Sequence, residues 1–312
     1  MANANQLGGQ KAGDARVVFT SGYVLGRNLV AISSYIEAVE EQNHELTRMF
    51  SYQNGEWGAL DLNGITVLSV CGSERPSRTL YCLGRDGTVY ARRSGKPSQE
   101  RIPEAGAERG QLGYVRHICE IAGVIYVCGV SGQIYRREPT GWAHFDEGVL
   151  DRKSRGRSGN LYCMDGTSAK DIYAVGQAGH IWHYDGGKWE QVLSPTNFDL
   201  NWVTCVSPTE VYLCGNRGFF FRGSRERWED ISLPDKTEDL WSVEVYQGKV
   251  YVAGDKGLYV FDGKRVEFLD TGMVLDGHRL HANDGVLWSF GNEHLAYLDG
   301  KKWNYVKHPD NP

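Results

Sequence analysis

Proline is scarce in this 312-residue chain, at 9 against 39 glycines. That imbalance favours many tight turns between short strands over long helices. The seven cysteines are an odd number and none follows a C-x-x-C spacing, which argues against a disulfide framework and against a zinc site. Cys82, Cys128, Cys205 and Cys214 sit in apolar strand-like runs and read as buried reduced thiols, which suits a reducing compartment. No run reaches the eighteen or so apolar residues that a membrane helix requires, so no membrane partner is expected. Residues 1–13 are polar, Gly-rich and lack an apolar core segment, so they do not read as a secretory signal and the expected location is the cytoplasm. The net charge of -5 gives no basic field for direct nucleic-acid binding, and suits solubility or a basic protein partner. Also missing are H-E-x-x-H, G-x-S-x-G, Walker and G-x-G-x-x-G signatures, so no catalytic residue, metal or cofactor is assigned.

What the chain does have is a repeat. An apolar strand ends in Gly, a two-residue tip and a second Gly follow, then another apolar strand, then a strand opening with Gly-x-Trp. Residues 173–192, YAVGQAGHIWHYDGGKWEQV, are the clearest copy. The leading aromatics of six copies fall at Tyr81, Tyr126, Tyr173, Tyr212, Tyr251 and Trp288, a period that fits four-stranded propeller blades. A seventh copy starts the chain, because residues 49–62 match the second half of the unit and Phe50 precedes Trp57 as Trp182 precedes Trp189. The expected fold is therefore all-β, a seven-bladed β-propeller of four-stranded antiparallel blades. It would occupy residues 15–312 as a single domain after a disordered tail at 1–14. The Gly-x-x-Gly tips, at Gly84/Gly87, Gly129/Gly132, Gly176/Gly179, Gly215/Gly218 and Gly254/Gly257, would join the second strand (b) to the third (c) and supply positive φ. The Trp of the outermost strand d, at 57, 142, 189, 228 and 303, would pack between adjacent blades, in preference to forming an exposed sugar-stacking ring. Closure is expected by packing of the first blade against the last, without a shared strand.

A propeller's strands are scaffold, so binding belongs to its loops. The b–c tips and the d–a connections emerge on one face, and that face collects the irregular sequence, at 103–113, 146–160, 194–201, 233–240 and 270–277, while the c–d turns stay short. The largest insertion, at about 35–48, carries Glu37, Glu40, Glu41 and Glu45. It reads as a solvated excursion or as an acidic finger for a basic cleft, and its apolar residues leave helix and extended hairpin both open. By position and charge, the candidate partner-binding residues are these four with Arg85, Asp86, Arg217, Asp235, Glu238, Asp239, Asp255 and Lys256. The basic stretch 151–157 lacks an aromatic platform for bases and reads as a mobile loop. His180/His183 and His278/His281 are three apart, an odd spacing that places each pair on opposite strand faces and makes no metal platform. A channel-centred enzyme would draw on Arg116, His117, Glu244, Arg279 and His281 of the innermost strands, though such residues more simply face a neighbouring sheet edge or channel solvent. DGTVY at Asp86 echoes only part of the Asp-box of sialidase-like propellers.

The unit V-G-x-x-G-x-I-x-x-Y-D-G-x-x-W at 175–189 resembles the Gly/Trp propeller repeats of bacterial proteins, and the chain resembles propeller-type immunity proteins of interbacterial toxin systems, such as those of type VI secretion. The resemblance implies a non-enzymatic protein, monomeric outside its complex, that binds and occludes a cognate toxin on the b–c/d–a face. If that toxin is a nuclease, its cleft must be basic to hold phosphate, and the acidic insertion could occupy it. A general scaffold or assembly factor would use the same face, and a channel-centred hydrolase or lyase is the third reading.

Overall fold

The structure, a computed structural model, describes residues 16–40, 44–93, 96–150, 159–235 and 237–311. Among them are seven four-stranded antiparallel sheets, each built from four consecutive strands. The innermost strands a are Val17–Gly26, Val67–Ser73, Val115–Ile121, Leu161–Ser168, Leu200–Ser207, Leu240–Tyr246 and Arg279–Asn283. Each contacts the next, and the last contacts the first, so the sheets close into a ring around a central channel. This is the seven-bladed propeller that the repeat predicts. No strand is shared across the closure, because every blade is complete in chain order.

Each sheet is sandwiched between two others, so strand b is apolar along its length rather than alternating. Ile172 to Gly176 and Val286 to Phe290 are wholly buried. The apolar core accordingly falls into seven clusters, one at every blade junction. The repeating Trp of strand d leans on the preceding blade. Trp189 is buried and its indole N–H donates to the Phe145 carbonyl at 2.7 Å. Trp142 donates to Glu100 at 2.9 Å, Trp228 meets Tyr173 edge-on, and Trp303 meets Tyr251.

The channel wall is stitched by at least one polar bond at every junction. Tyr23 donates its hydroxyl to the Gly72 carbonyl at 3.3 Å. Ser69 accepts from the Ile118 N–H at 3.3 Å, His117 from Met164 at 3.2 Å and Asp165 from Cys205 at 2.7 Å. Thr204 donates to the Val243 carbonyl at 2.7 Å. Ser242 accepts from Leu280 at 3.1 Å, and His281 accepts from Val24 at 3.1 Å, closing the circle. The closure has a second fastening outside the channel. Asn311 accepts the Val17 N–H at 3.1 Å and donates to the Val17 carbonyl at 2.8 Å, while the His308 ring packs among Phe19, Phe50 and Trp57.

Contrary to the sequence expectation, the Gly-x-x-Gly tips do not supply positive φ at both glycines. The two glycines of a tip do different work. Only the second has positive φ, as at Gly132, Gly179 and Gly218. The first is extended, and it is glycine because the d–a connection crosses it. A Cβ at Gly176 would lie 1.9 Å from the Asn160 carbonyl oxygen, and one at Gly215 would lie 2.0 Å from that of Asp199. Tip and connection are thus welded into one surface at each of these blades.

All seven cysteines are unpaired, and burial pushes every thiol up from its usual range. Among the described residues no helix is long and apolar enough to cross a membrane.

Candidate functional site

The face formed by the tips and the d–a connections is built by a rule that the sequence shows only as a dipeptide. Asn160-Leu161, Asp199-Leu200 and Asp239-Leu240 each begin a strand a. The polar residue turns its side chain onto the tip of the preceding blade, where an N–H would otherwise point into solvent. Asn160 accepts from Ser131 at 3.2 Å, Asp199 from Ala178 at 2.8 Å and Asp239 from Arg217 at 2.8 Å. Asp276 departs from the rule and accepts from Asn292 at 3.0 Å, in the tip of the blade whose strand a it precedes. Part of the acidity of this face is therefore committed to holding its shape.

The sequence-chosen charges fall into two groups on opposite sides of the channel mouth. At blades 5 and 6 the structure brings together Arg217, Asp235, Glu238, Asp239, Asp255 and Lys256. Asp255 accepts from the Trp241 indole at 2.7 Å and from the Asp239 N–H at 3.1 Å. Glu238 is buried, with its carboxylate taken by the Tyr259 hydroxyl and by the Lys256 N–H at 2.9 Å, so it shapes the tip and does not face outward. Asp235 accepts from Thr237, and Lys256 donates to Thr237 at 3.0 Å. Arg217 is exposed and lies 5.2 Å over the Phe198 ring.

At blades 1 and 2, Arg85 reaches Glu45 at 2.6 Å and stacks 5.3 Å over Tyr114. Asp86 accepts from Thr88 and from Arg101. The strands run further into the acidic insertion than its composition suggests, to Ile36 on one side and from Leu46 on the other. Glu37–Glu40 form a single helical turn between them. Glu41 lies outside the described residues, as does the basic stretch 151–157.

Charge alone missed the apolar part of the face. Leu193 is 88% exposed in the connection between blades 4 and 5, and Val274 is 96% exposed in that between blades 6 and 7. Tyr114, which precedes a strand a, and Leu68, at the channel mouth, are also exposed. Side chains of this kind in water, on connections held by a rigid scaffold, are what partner interfaces are made of. The signal was present as single apolar residues inside polar loops, but nothing in the sequence separates them from loop residues that turn inward, as Leu233 and Leu275 do.

The channel residues divide by role. His117 and His281 accept backbone N–H bonds at Nδ1, so each neutral ring carries its proton on Nε2. Burial, reinforced by the nearby Arg279 charge, holds both imidazoles down at about 3. Burial also pushes the carboxyls of Asp165 up to about 6 and Glu244 up to about 7. Below pH 6.5 the unfolded chain binds protons at both histidines that the folded chain refuses, so these residues cost stability as pH falls toward 3, by roughly 1.4 kcal/mol per pH unit each. The two carboxyls act oppositely, because the folded chain keeps protons that the unfolded chain releases above about 4, and stability rises as pH falls from 7. A His117→Asn, His281→Asn double variant keeps an acceptor for each N–H and removes the first effect. It is expected to gain stability between pH 7 and 4.5 relative to the parent over the same interval. Urea midpoints at the two pH values check this, and a double variant that tracks the parent would contradict it.

Among the described residues no group of three or more His, Cys, Asp or Glu side chains is placed to hold a metal ion. His180 follows the blade 4 tip, and His183 is buried against Asp171 at 2.7 Å.

No family model matches the chain. It is 31% identical over 293 residues to the immune protein Tsi7 of Pseudomonas aeruginosa, covering 92% of this chain and 96% of that protein. Two solved structures share the architecture at low identity. The WD40 β-propeller domain of Doa1 matches with a TM-score of 0.66 at 11% identity, over 92% of this chain and 93% of that one. YCF48 bound to a D1 peptide matches with a TM-score of 0.67 at 14% identity, over 96% and 94%. These two speak to the fold alone.

Proposed function

The chain belongs to the family of the immune protein Tsi7, and from that membership we propose that it protects its host by binding a cognate toxin on the b–c/d–a face and occluding the toxin's active site. The single observation that carries the immunity role is the relationship itself, which extends over nearly the full length of both proteins. The binding face is argued from the exposed Leu193 and Val274 on connections that the tips hold in place. In this reading the chain acts in the cytoplasm without catalysis, as a monomer until it meets a toxin delivered by a competing cell, as by type VI secretion. The unpaired cysteines suit a reducing compartment. The complex is expected to bury at least a standard interface of roughly 1,600 Å².

A nuclease is the toxin class that fits the charges best. Its cleft carries a positive field for phosphate, and Glu37 and Glu40 stand at the tip of blade 1, where no described cation forms a salt bridge with either. Reversing both, Glu37→Lys with Glu40→Lys, is expected to slow association about tenfold at low salt, with little change at high salt. Stopped-flow mixing at two ionic strengths measures this, and an association rate that is unchanged at low salt removes the segment from the mechanism. The parent proposal is tested by capturing the bound protein from the native host and expressing it with and without this chain. Lethality relieved by this chain supports immunity, and a captured protein that is harmless alone contradicts it.

A further inference from the structure

At the centre of the loop face the channel opens into a cavity of about 560 Å³. His117, Trp202 and Arg279 form its floor and also roof a deeper cavity of about 240 Å³. The charges that line the outer cavity are unbalanced. Arg116 and Arg279 are its fixed cations, and Asp199 is its carboxylate. Both oxygens of Asp199 are already occupied, one by the Ala178 N–H at 2.8 Å and the other by the Tyr162 hydroxyl at 3.0 Å.

The two guanidiniums are oriented by aromatic rings. Arg279 lies 4.0 Å over Trp202, whose indole N–H is fixed on Thr204 at 3.1 Å, and Arg116 lies 4.9 Å over Tyr162. Stacking holds a guanidinium by its face and leaves the N–H groups at its edge for acceptors in its own plane. Neither arginine makes a hydrogen bond or ion pair with any described residue. The carboxyls nearest Arg279, Asp165 and Glu244, are directed elsewhere, onto N–H groups of the following blades. Burial raises both, which further weakens them as counter-charges.

A partner that covers the rim also closes this mouth. Sealing two stacked guanidiniums away from water without a counter-charge is strongly unfavourable, so tight binding over this face demands an anionic group at its centre. We propose that the channel mouth is a carboxylate socket, in which an Asp or Glu side chain on a protruding segment of the bound toxin accepts hydrogen bonds from Arg279 and Arg116. This rests on the immunity reading above. The cavity is far larger than one carboxylate and admits the apex of a loop, whereas a small free anion would leave most of it to water. The toxin surface would then be basic around one acidic projection, matching an acidic rim around a basic centre.

The test is the dissociation constant of the captured toxin for Arg279→Gln, Arg116→Gln and Arg279→Lys, with thermal melts of each. Arg279→Gln is expected to weaken binding about 30- to 300-fold and Arg116→Gln about tenfold. Arg279→Lys should fall between parent and Arg279→Gln, because it keeps the charge and loses the planar fork. Arg116 is exposed, so its variant carries the test if Arg279→Gln does not fold. Affinities within threefold of the parent for both Gln variants, alongside a rim substitution that does weaken binding, would overturn the socket and leave the immunity reading standing. Failure of the unaltered chain to bind any toxin would instead defeat that reading. Glutarate and inorganic phosphate titrated calorimetrically into the free protein separate the sources of the anion. Weak or absent binding supports a partner's side chain, and saturable submillimolar binding that Arg279→Gln abolishes would reassign the socket to a small molecule.

Discussion

Replacing Leu193 and Val274 together by aspartate is expected to weaken toxin binding by at least a hundredfold while leaving the melting temperature almost unchanged. Both side chains stand almost entirely in water in the free protein, so the folded chain loses little when they become polar. In the complex each would bring an unpaired carboxylate into a desolvated contact. Burying a charge without a partner and losing an apolar anchor together cost about 2–4 kcal/mol at a central position. Calorimetry of the purified pair measures the loss. Full affinity in the double variant would show that these connections stay outside the interface. Phe268 and Tyr305, exposed on outermost strands, provide the control, since the same substitution there should leave binding intact.

The second large effect concerns folding. Gly176→Ala is expected to cost several kcal/mol, roughly 3–5, although it adds one methyl group and the backbone there is extended. The added carbon would sit 1.9 Å from the Asn160 carbonyl oxygen and 2.8 Å from the Leu161 Cα, and neither can move without displacing strand a of the same blade. Gly187 is the matched control. It lies in a c–d turn of the same repeat, and a Cβ there meets only the Asp185 side chain at 3.5 Å. Gly187→Ala should change the urea midpoint little. Equal midpoints for the two variants would mean that tip and connection are not packed as described.

The architecture was legible because one pattern recurs. Strand, Gly tip, strand and Trp repeat with a period that four strands can span, and each Trp has a fixed neighbour in the blade before it. What that pattern left ambiguous was the reason for each glycine. A recurring spacing does not distinguish positive φ from a backbone that crosses overhead, and only the path of the connection past Gly176 and Gly215 decides it.

The candidate site was less legible, and for a physical reason. Charged loop residues look alike in a sequence whether they cap a tip or face a partner. Asp239 and Glu238 do the first, while the exposed Leu193 and Val274 are single apolar residues with no periodicity to mark them. The channel residues show the same limit. His117, Glu244 and His281 bond to the next blade, whereas Arg116 and Arg279, on the strands of His117 and His281, are left facing the cavity. That division depends on ring closure, which brings residue 24 to residue 281 and is absent from local sequence.

Toxin held at the loop face would shield that face from solvent, and hydrogen–deuterium exchange of the chain alone and in complex tests this most directly. Slowed exchange is expected at the tips near 85–87, 216–218 and 255–257 and along the connections at 193–199 and 269–278. Protection confined to the opposite turns, near 122–123, 247–248 and 284–285, would contradict it.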